Sequence, residues 1–185
     1  DDFLETPQSE NLSSIFADDT SVDTDKNIVV DKKHKKALSL YAHLNGTIIP
    51  LKDVDDEAFS TGILGDGAAI EPSDGNLYAP CDGKIDSIFD TKHAVNIISD
   101  DGAEILLHIG VNTVRLGGKF FKSYVSDGQT VKQGDLLISF DIEKIKDAGY
   151  DTTTPIIVCN SDDYSAINVV AQNKVKVGDK IIDIS

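Results

Sequence analysis

Asp-Gly pairs punctuate the chain and limit what it can fold into. Asp66-Gly67, Asp74-Gly75, Asp82-Gly83, Asp101-Gly102, Asp127-Gly128 and the reversed Gly178-Asp179 separate short runs rich in Val, Ile and Thr. Glycine beside aspartate accepts the backbone of a tight turn, and β-branched side chains suit a pleated surface, so turns set this close leave little room for helix. The pattern predicts strands at 46–51, 68–71, 77–79, 84–89, 94–99, 104–109, 136–141, 155–159, 174–177 and 180–184. One helix is expected at 142–148, where Ile142 and Ile145 share a face and Gly149 is a stop signal. The expected fold is an all-β antiparallel sandwich or partly closed barrel with little helix.

The first residues read differently. From Asp1 to Lys36 the chain is rich in Asp, Ser and Thr without a sustained period, and such a segment buries too little apolar surface to offset its ordering entropy. We read 1–37 as a flexible acidic linker and 38–185 as the folded domain. The basic cluster Lys32, Lys33, His34, Lys35 and Lys36 that closes the linker is expected to be a solvated charge run, with contact to an acidic lipid surface as the alternative. Methionine is absent, even at position 1, which suggests a piece of a longer chain with a domain upstream.

Charge and composition narrow the function. With 17 Lys+Arg against 32 Asp+Glu the net charge is −15, which excludes a nucleic-acid binder relying on phosphate attraction. No run of about eighteen apolar residues is present, and no signal peptide opens the chain, so a cytoplasmic location is expected. Cys81 and Cys159 fit neither a disulfide scaffold nor a zinc knuckle, and both read as small buried thiols.

Two of the four histidines fall in readable strand patterns. Alternation through 104–110 puts Ile105, Leu107 and Ile109 on a core face and Leu106 and His108 on the opposite one, facing outward or into a groove. The same parity places Phe89, Thr91, His93 and Val95 together upstream. If the two strands pair through the turn Asp100-Asp101-Gly102, His93 and His108 become neighbours on a surface lined by Phe89, Val95 and Leu106. A pair of imidazoles suits metal binding, general acid-base chemistry or phosphoryl transfer through a phosphohistidine. No HxH, HExxH, CxxC or GxSxG occurs, which weakens a zinc hydrolase or a serine triad.

The run from Gly102 to Leu116, GAEILLHIGVNTVRL, closely resembles the phosphohistidine signature of the glucose-type enzyme IIA domains of the bacterial phosphoenolpyruvate-dependent sugar phosphotransferase system. Gly62-Ile63-Leu64-Gly65-Asp66-Gly67, Ala79-Pro80-Cys81-Asp82-Gly83, Phe89 to Ala94, Gly128-Gln129 with Gly134-Asp135, and Thr152-Thr153-Thr154-Pro155 resemble further landmarks of that family, from about Ser39 to the end. The resemblance implies a β-sandwich whose shallow apolar depression holds both histidines. It implies that His108 takes a phosphoryl group on Nε2 from the histidine-containing phosphocarrier protein and hands it to a cysteine of a IIB domain, without metal or cofactor. His93 would stabilise the phosphoryl group, Thr91 would orient the His93 ring, and Phe59, Ile63, Leu64, Phe89 and Leu106 would ring the site as a docking patch. Asn112 stands where many members carry Asp, and Ala58 and Leu106 replace bulkier residues.

Other readings share these residues. Residues 128–135, GQTVKQGD, look like half of a lipoyl or biotinyl carrier domain, but Lys84 and Lys92 sit in strand contexts and no methionine flanks them. A zinc-binding module would use His93 and His108. Within the family resemblance, the host is either a multidomain sugar permease, with the domain tethered at the inner face of the cell membrane, or a sugar cotransporter with this domain as its regulatory tail.

Overall fold

The computed structural model describes residues 35–185. The expected linker therefore lies outside the described residues, apart from its last three. Of these, Lys35 Nζ is 3.3 Å from Asp163 Oδ2 and Lys36 Nζ is 3.3 Å from Asp101 Oδ1.

Among the described residues, strands numbered along the chain form three sheets. The largest has eight strands, in the order β13 (Lys174–Val175), β2 (Gly46–Pro50), β3 (Asp66–Pro72), β11 (Thr154–Val158), β7 (Glu104–His108), β6 (Ala94–Ser99), β5 (Gly83–Ile88) and β9 (Thr130–Val131). A second sheet joins β1 (Leu38–Tyr41), β14 (Lys180–Ile184) and β12 (Ile167–Val169), and a third joins β4 (Asn76–Tyr78), β10 (Leu136–Phe140) and β8 (Phe121–Ser123). Every paired neighbour is antiparallel. The domain is a nearly all-β sandwich. Its helices are α1 (Glu57–Ser60) and α2 (Ile142–Asp147), with Ile145 of α2 fully buried.

Strands 94–99 and 180–184 lie where expected, and the other expected strands shift their ends by one or two residues. Four strands and α1 were not expected. β8, β9 and β12 hold three, two and three residues, β1 holds four, and α1 is a single turn, all too short to show a period of their own. Pro155 is tolerated inside an interior strand because the β7 ladder begins at the next residue, Ile156 opposite Leu107, so at Pro155 only β3 is paired.

At the middle of β7 the eight-stranded sheet is apolar on both faces. Ile105 and Leu107 of β7, with Val95 and Ile97 of β6 opposite them, enter the main core. The other face carries Leu106, flanked by Asn96 on β6 and Ile157 on β11, and it is also covered here, with Leu106 1% exposed and Ile157 and Asn96 0%, while Ile98 and Lys84 further along it are exposed. A 3-10 turn at Leu51–Asp53 packs on β3, and α1 buries Phe59, whose ring meets His108 on this face. Alternation through β7 thus assigns its faces correctly, yet Leu106 and His108 on the outward face are buried.

Candidate phosphoryl-transfer site

The site lies at the end of the β6–β7 hairpin remote from its turn. Asp100-Asp101-Gly102 closes the hairpin, with Ser99 N–H donating to the Ala103 carbonyl at 2.9 Å, and the ladder ends with Ala94 opposite His108. Beyond the ladder, Ile109 N–H donates to the His93 carbonyl at 2.7 Å, which ties the two histidines together through the backbone. Their ring centroids are 4.8 Å apart at an interplanar angle of 85°. The Phe59 ring lies 5.0 Å from His108, and the Phe89 ring stands edge-on to His93 at 5.2 Å. His93 is fully buried and His108 is 3% exposed.

Hydrogen bonds set the rings. His108 Nδ1 is 2.8 Å from the Gly110 carbonyl, and because a carbonyl only accepts, Nδ1 carries the proton and the lone pair of the neutral ring sits on Nε2. Thr91 Oγ1 is 2.6 Å from His93 Nδ1. A hydroxyl either donates or accepts, so this contact fixes the orientation of the ring.

The structure separates the residues expected around the histidines. Phe59 and Leu106 are buried at 2% and 1%, and the Phe59 ring forms a wall against His108. Ile63 is 79% exposed, while Leu64 and Phe89 are half-buried, and of these three it is Phe89 whose ring meets His93. Val95 corrects the parity argument: it lies in the main core opposite Leu107. Strict alternation starts only at Ala94, after a turn in which Lys92 takes a left-handed φ of 57°, and that turn delivers the His93 ring to His108. Lys92 accordingly lies in a turn, not in the strand context expected for it.

Other reactive groups are set apart. Burial, reinforced by nearby carboxylates, pushes the thiols of Cys81 and Cys159 up to about 12, so both stay protonated; Cys81 is buried as expected and Cys159 is half-buried. Among the described residues, no group of three His, Cys, Asp or Glu side chains forms a metal-binding cluster, so His93 and His108 offer two of the four ligands zinc takes. Two features escaped the reading of the sequence. The Gly110 carbonyl as holder of the His108 proton is a backbone group, marked only by the glycine two residues after the histidine. Buried His43, whose Nε2 donates to the Thr154 carbonyl at 3.0 Å, sits in no motif.

Comparison with known proteins gives the family of the chain. The model of the phosphoenolpyruvate-dependent sugar phosphotransferase system EIIA 1 family matches residues 38–164. Curated relatives include PTS system beta-glucoside-specific EIIBCA components from Halalkalibacterium halodurans, 42% identical over 94% of this chain and 27% of that protein, and from Dickeya chrysanthemi, 47% identical over 74% and 22%. A third, from Bacillus subtilis, is 44% identical over 79% of this chain and 24% of its own length, so the chain spans about a quarter of the curated relatives it matches. The solved structure of the glucose permease IIA from Mycoplasma capricolum superposes with a TM-score of 0.73 at 39% identity, covering 80% of this chain and 96% of that one. The chain belongs to the EIIA 1 family of the phosphoenolpyruvate-dependent sugar phosphotransferase system.

Proposed function

We propose that the domain is a phosphoryl carrier that accepts a phosphoryl group on His108 Nε2 from the histidine-containing phosphocarrier protein and passes it to a cysteine of a IIB domain. The Nε2 lone pair attacks phosphorus while the P–N bond of the donor breaks and its electron pair returns to the donor imidazole; the Nδ1 proton stays on His108, held by the Gly110 carbonyl. In the second half, a IIB thiolate forms the P–S bond and the electron pair of the P–N bond returns to Nε2. His93 stabilises the charged phosphoryl oxygens, with Thr91 orienting its ring. Ile63, Leu64 and Phe89 give donor and acceptor an apolar landing surface. The observation that carries this reading is the hydrogen bond from His108 Nδ1 to Gly110, which reserves Nε2 for nucleophilic attack beside a second imidazole.

The EIIBCA naming of the relatives supports a host in which this domain is joined to a IIB domain and a permease, tethered at the cytoplasmic face of the membrane. Their beta-glucoside designation supports a beta-glucoside as the transported sugar. Among the described residues no helix is long and apolar enough to cross a membrane.

Incubation with phosphoenolpyruvate, enzyme I and the phosphocarrier protein should leave an acid-labile phosphoryl group on the chain. His108→Ala should remove it, and labelling that survives this change refutes the assignment. His93→Gln should still accept phosphate but deliver it poorly to a IIB cysteine; equal delivery removes the role given to His93.

A further inference from the structure

The direction of the Gly110 carbonyl is decided by chain far from His108 in sequence. A trans peptide is planar, with its C=O and N–H pointing in opposite directions, so holding the N–H aims the carbonyl. In the peptide joining Gly110 to Val111, the N–H of Val111 donates to the Asp151 carbonyl at 3.0 Å, and the carbonyl at the other end meets His108 Nδ1. The preceding peptide is held in the same manner: Gly110 N–H donates to the Thr153 carbonyl at 3.1 Å, and the Ile109 carbonyl accepts the buried Thr113 hydroxyl.

Asp151 shapes the segment that does this holding. Its Oδ1 accepts the Thr153 N–H at 2.8 Å, an Asx turn that sets the Asp151 and Thr153 carbonyls toward the two peptides. Packing leaves no slack. Gly110 has a φ of 80°, and a Cβ added there would lie 2.5 Å from Thr113 Cγ2 and 2.6 Å from the Asp151 carbonyl oxygen, so only glycine fits between them.

We propose that Asp151 and Thr113 are positioning residues for phosphoryl transfer: acting through the peptides on either side of Gly110, they keep its carbonyl on His108 Nδ1, and so keep the ring proton there and the lone pair on Nε2. Neither residue touches the phosphoryl group. The inference rests on His108 being the acceptor, but its central observable, the tautomer of the resting ring, is measured without phosphate.

The test uses the 185-residue chain labelled with 15N, at a pH where His108 is neutral. Wild type should show the ring-nitrogen shifts of a single tautomer protonated on Nδ1. Thr113→Val and Asp151→Ala should show a mixture of tautomers and accept phosphate from the phosphocarrier protein about tenfold more slowly. Thr113→Ser and Asp151→Asn, which keep the hydroxyl and the Asx turn, should restore both properties. A purely structural role lowers the melting temperature without moving the ring-nitrogen shifts, so folded Thr113→Val and Asp151→Ala with the wild-type tautomer overturn the proposal. If Thr113→Val does not fold, Asp151→Ala, which changes an exposed side chain, decides the outcome. A wild-type ring protonated on Nε2 overturns the proposal without any variant. Labelling that survives His108→Ala while the tautomer responds as expected instead defeats the acceptor assignment and leaves this network as the determinant of the ring's proton alone.

Discussion

Burial holds His43 neutral, with its pKa lowered from 6.5 to about 4 by desolvation, against the smaller opposing effect of its bond to the Thr154 carbonyl. The folded state therefore binds fewer protons than the unfolded chain between these values. The stability this represents is fully present above about pH 6.5 and is lost as pH falls through 4; it amounts to roughly 3 kcal/mol, because each tenfold change in proton affinity is worth about 1.4 kcal/mol. Urea unfolding from pH 7 to pH 4 should show that loss in wild type. His43→Leu should be less stable at pH 7, since it strands the Thr154 carbonyl, but should have a visibly flatter pH dependence. Identical slopes would mean that another group carries the acid sensitivity. The same residue shows what a sequence conceals: a histidine between two apolar residues, Ala42 and Leu44, carries no motif, and its neutrality follows only from its complete burial. His108 was legible because its alternation and its signature lie within one short segment.

Among the elements outside the β6–β7 hairpin, α1 packs a ring directly on His108. Asp56 caps it by accepting the Ala58 N–H at 2.9 Å, and its one turn buries Phe59 against His108. Phe59→Ala should cost about 3–5 kcal/mol, the usual range for a fully buried phenylalanine, and should also slow phosphate acceptance because it removes a wall of the site. Ile63→Asp, a few residues on and exposed, should leave stability within about 0.5 kcal/mol while weakening binding of the phosphocarrier protein. Calorimetry on the variants, with titration of the phosphocarrier protein, separates the two effects. An Ile63→Asp variant that binds normally would remove Ile63 from the docking rim. The helix 142–148 was legible, and it appears as α2 with Asp141 accepting the Lys144 N–H at 3.1 Å. α1 was not, since one helical turn offers no repeat for a period to show itself.

For the whole molecule, the dominant property is its charge of −15. A basic partner face is drawn toward such a surface, while the contacts proposed to hold the phosphocarrier protein are apolar, so electrostatics should govern encounter and Ile63, Leu64 and Phe89 should govern residence. Raising salt from about 0.05 to 0.5 M, where the Debye length falls well below 10 Å, should slow association of the phosphocarrier protein at least several-fold and change its dissociation little. Stopped-flow measurement of both rates checks this; a salt effect confined to dissociation contradicts the steering argument.

Turns, strand faces and the β6–β7 hairpin were determined by the sequence itself, because Asp-Gly chemistry and two-residue alternation are properties of a few contiguous residues. That His93 and His108 would meet also followed, since one turn and two short strands join them. Tertiary structure decided the rest. Leu106 and His108, on the outward face of β7, became buried with Phe59 packed on His108, Val95 went to the core because the turn at Lys92 breaks the alternation before Ala94, and the His108 proton was placed by the Gly110 carbonyl, whose flanking peptides bond the Asp151 and Thr153 carbonyls. Each of these depends on backbone groups or covering segments brought together from distant parts of the chain. Such contacts have no local period or composition to betray them, and they exist only once the sheets have closed.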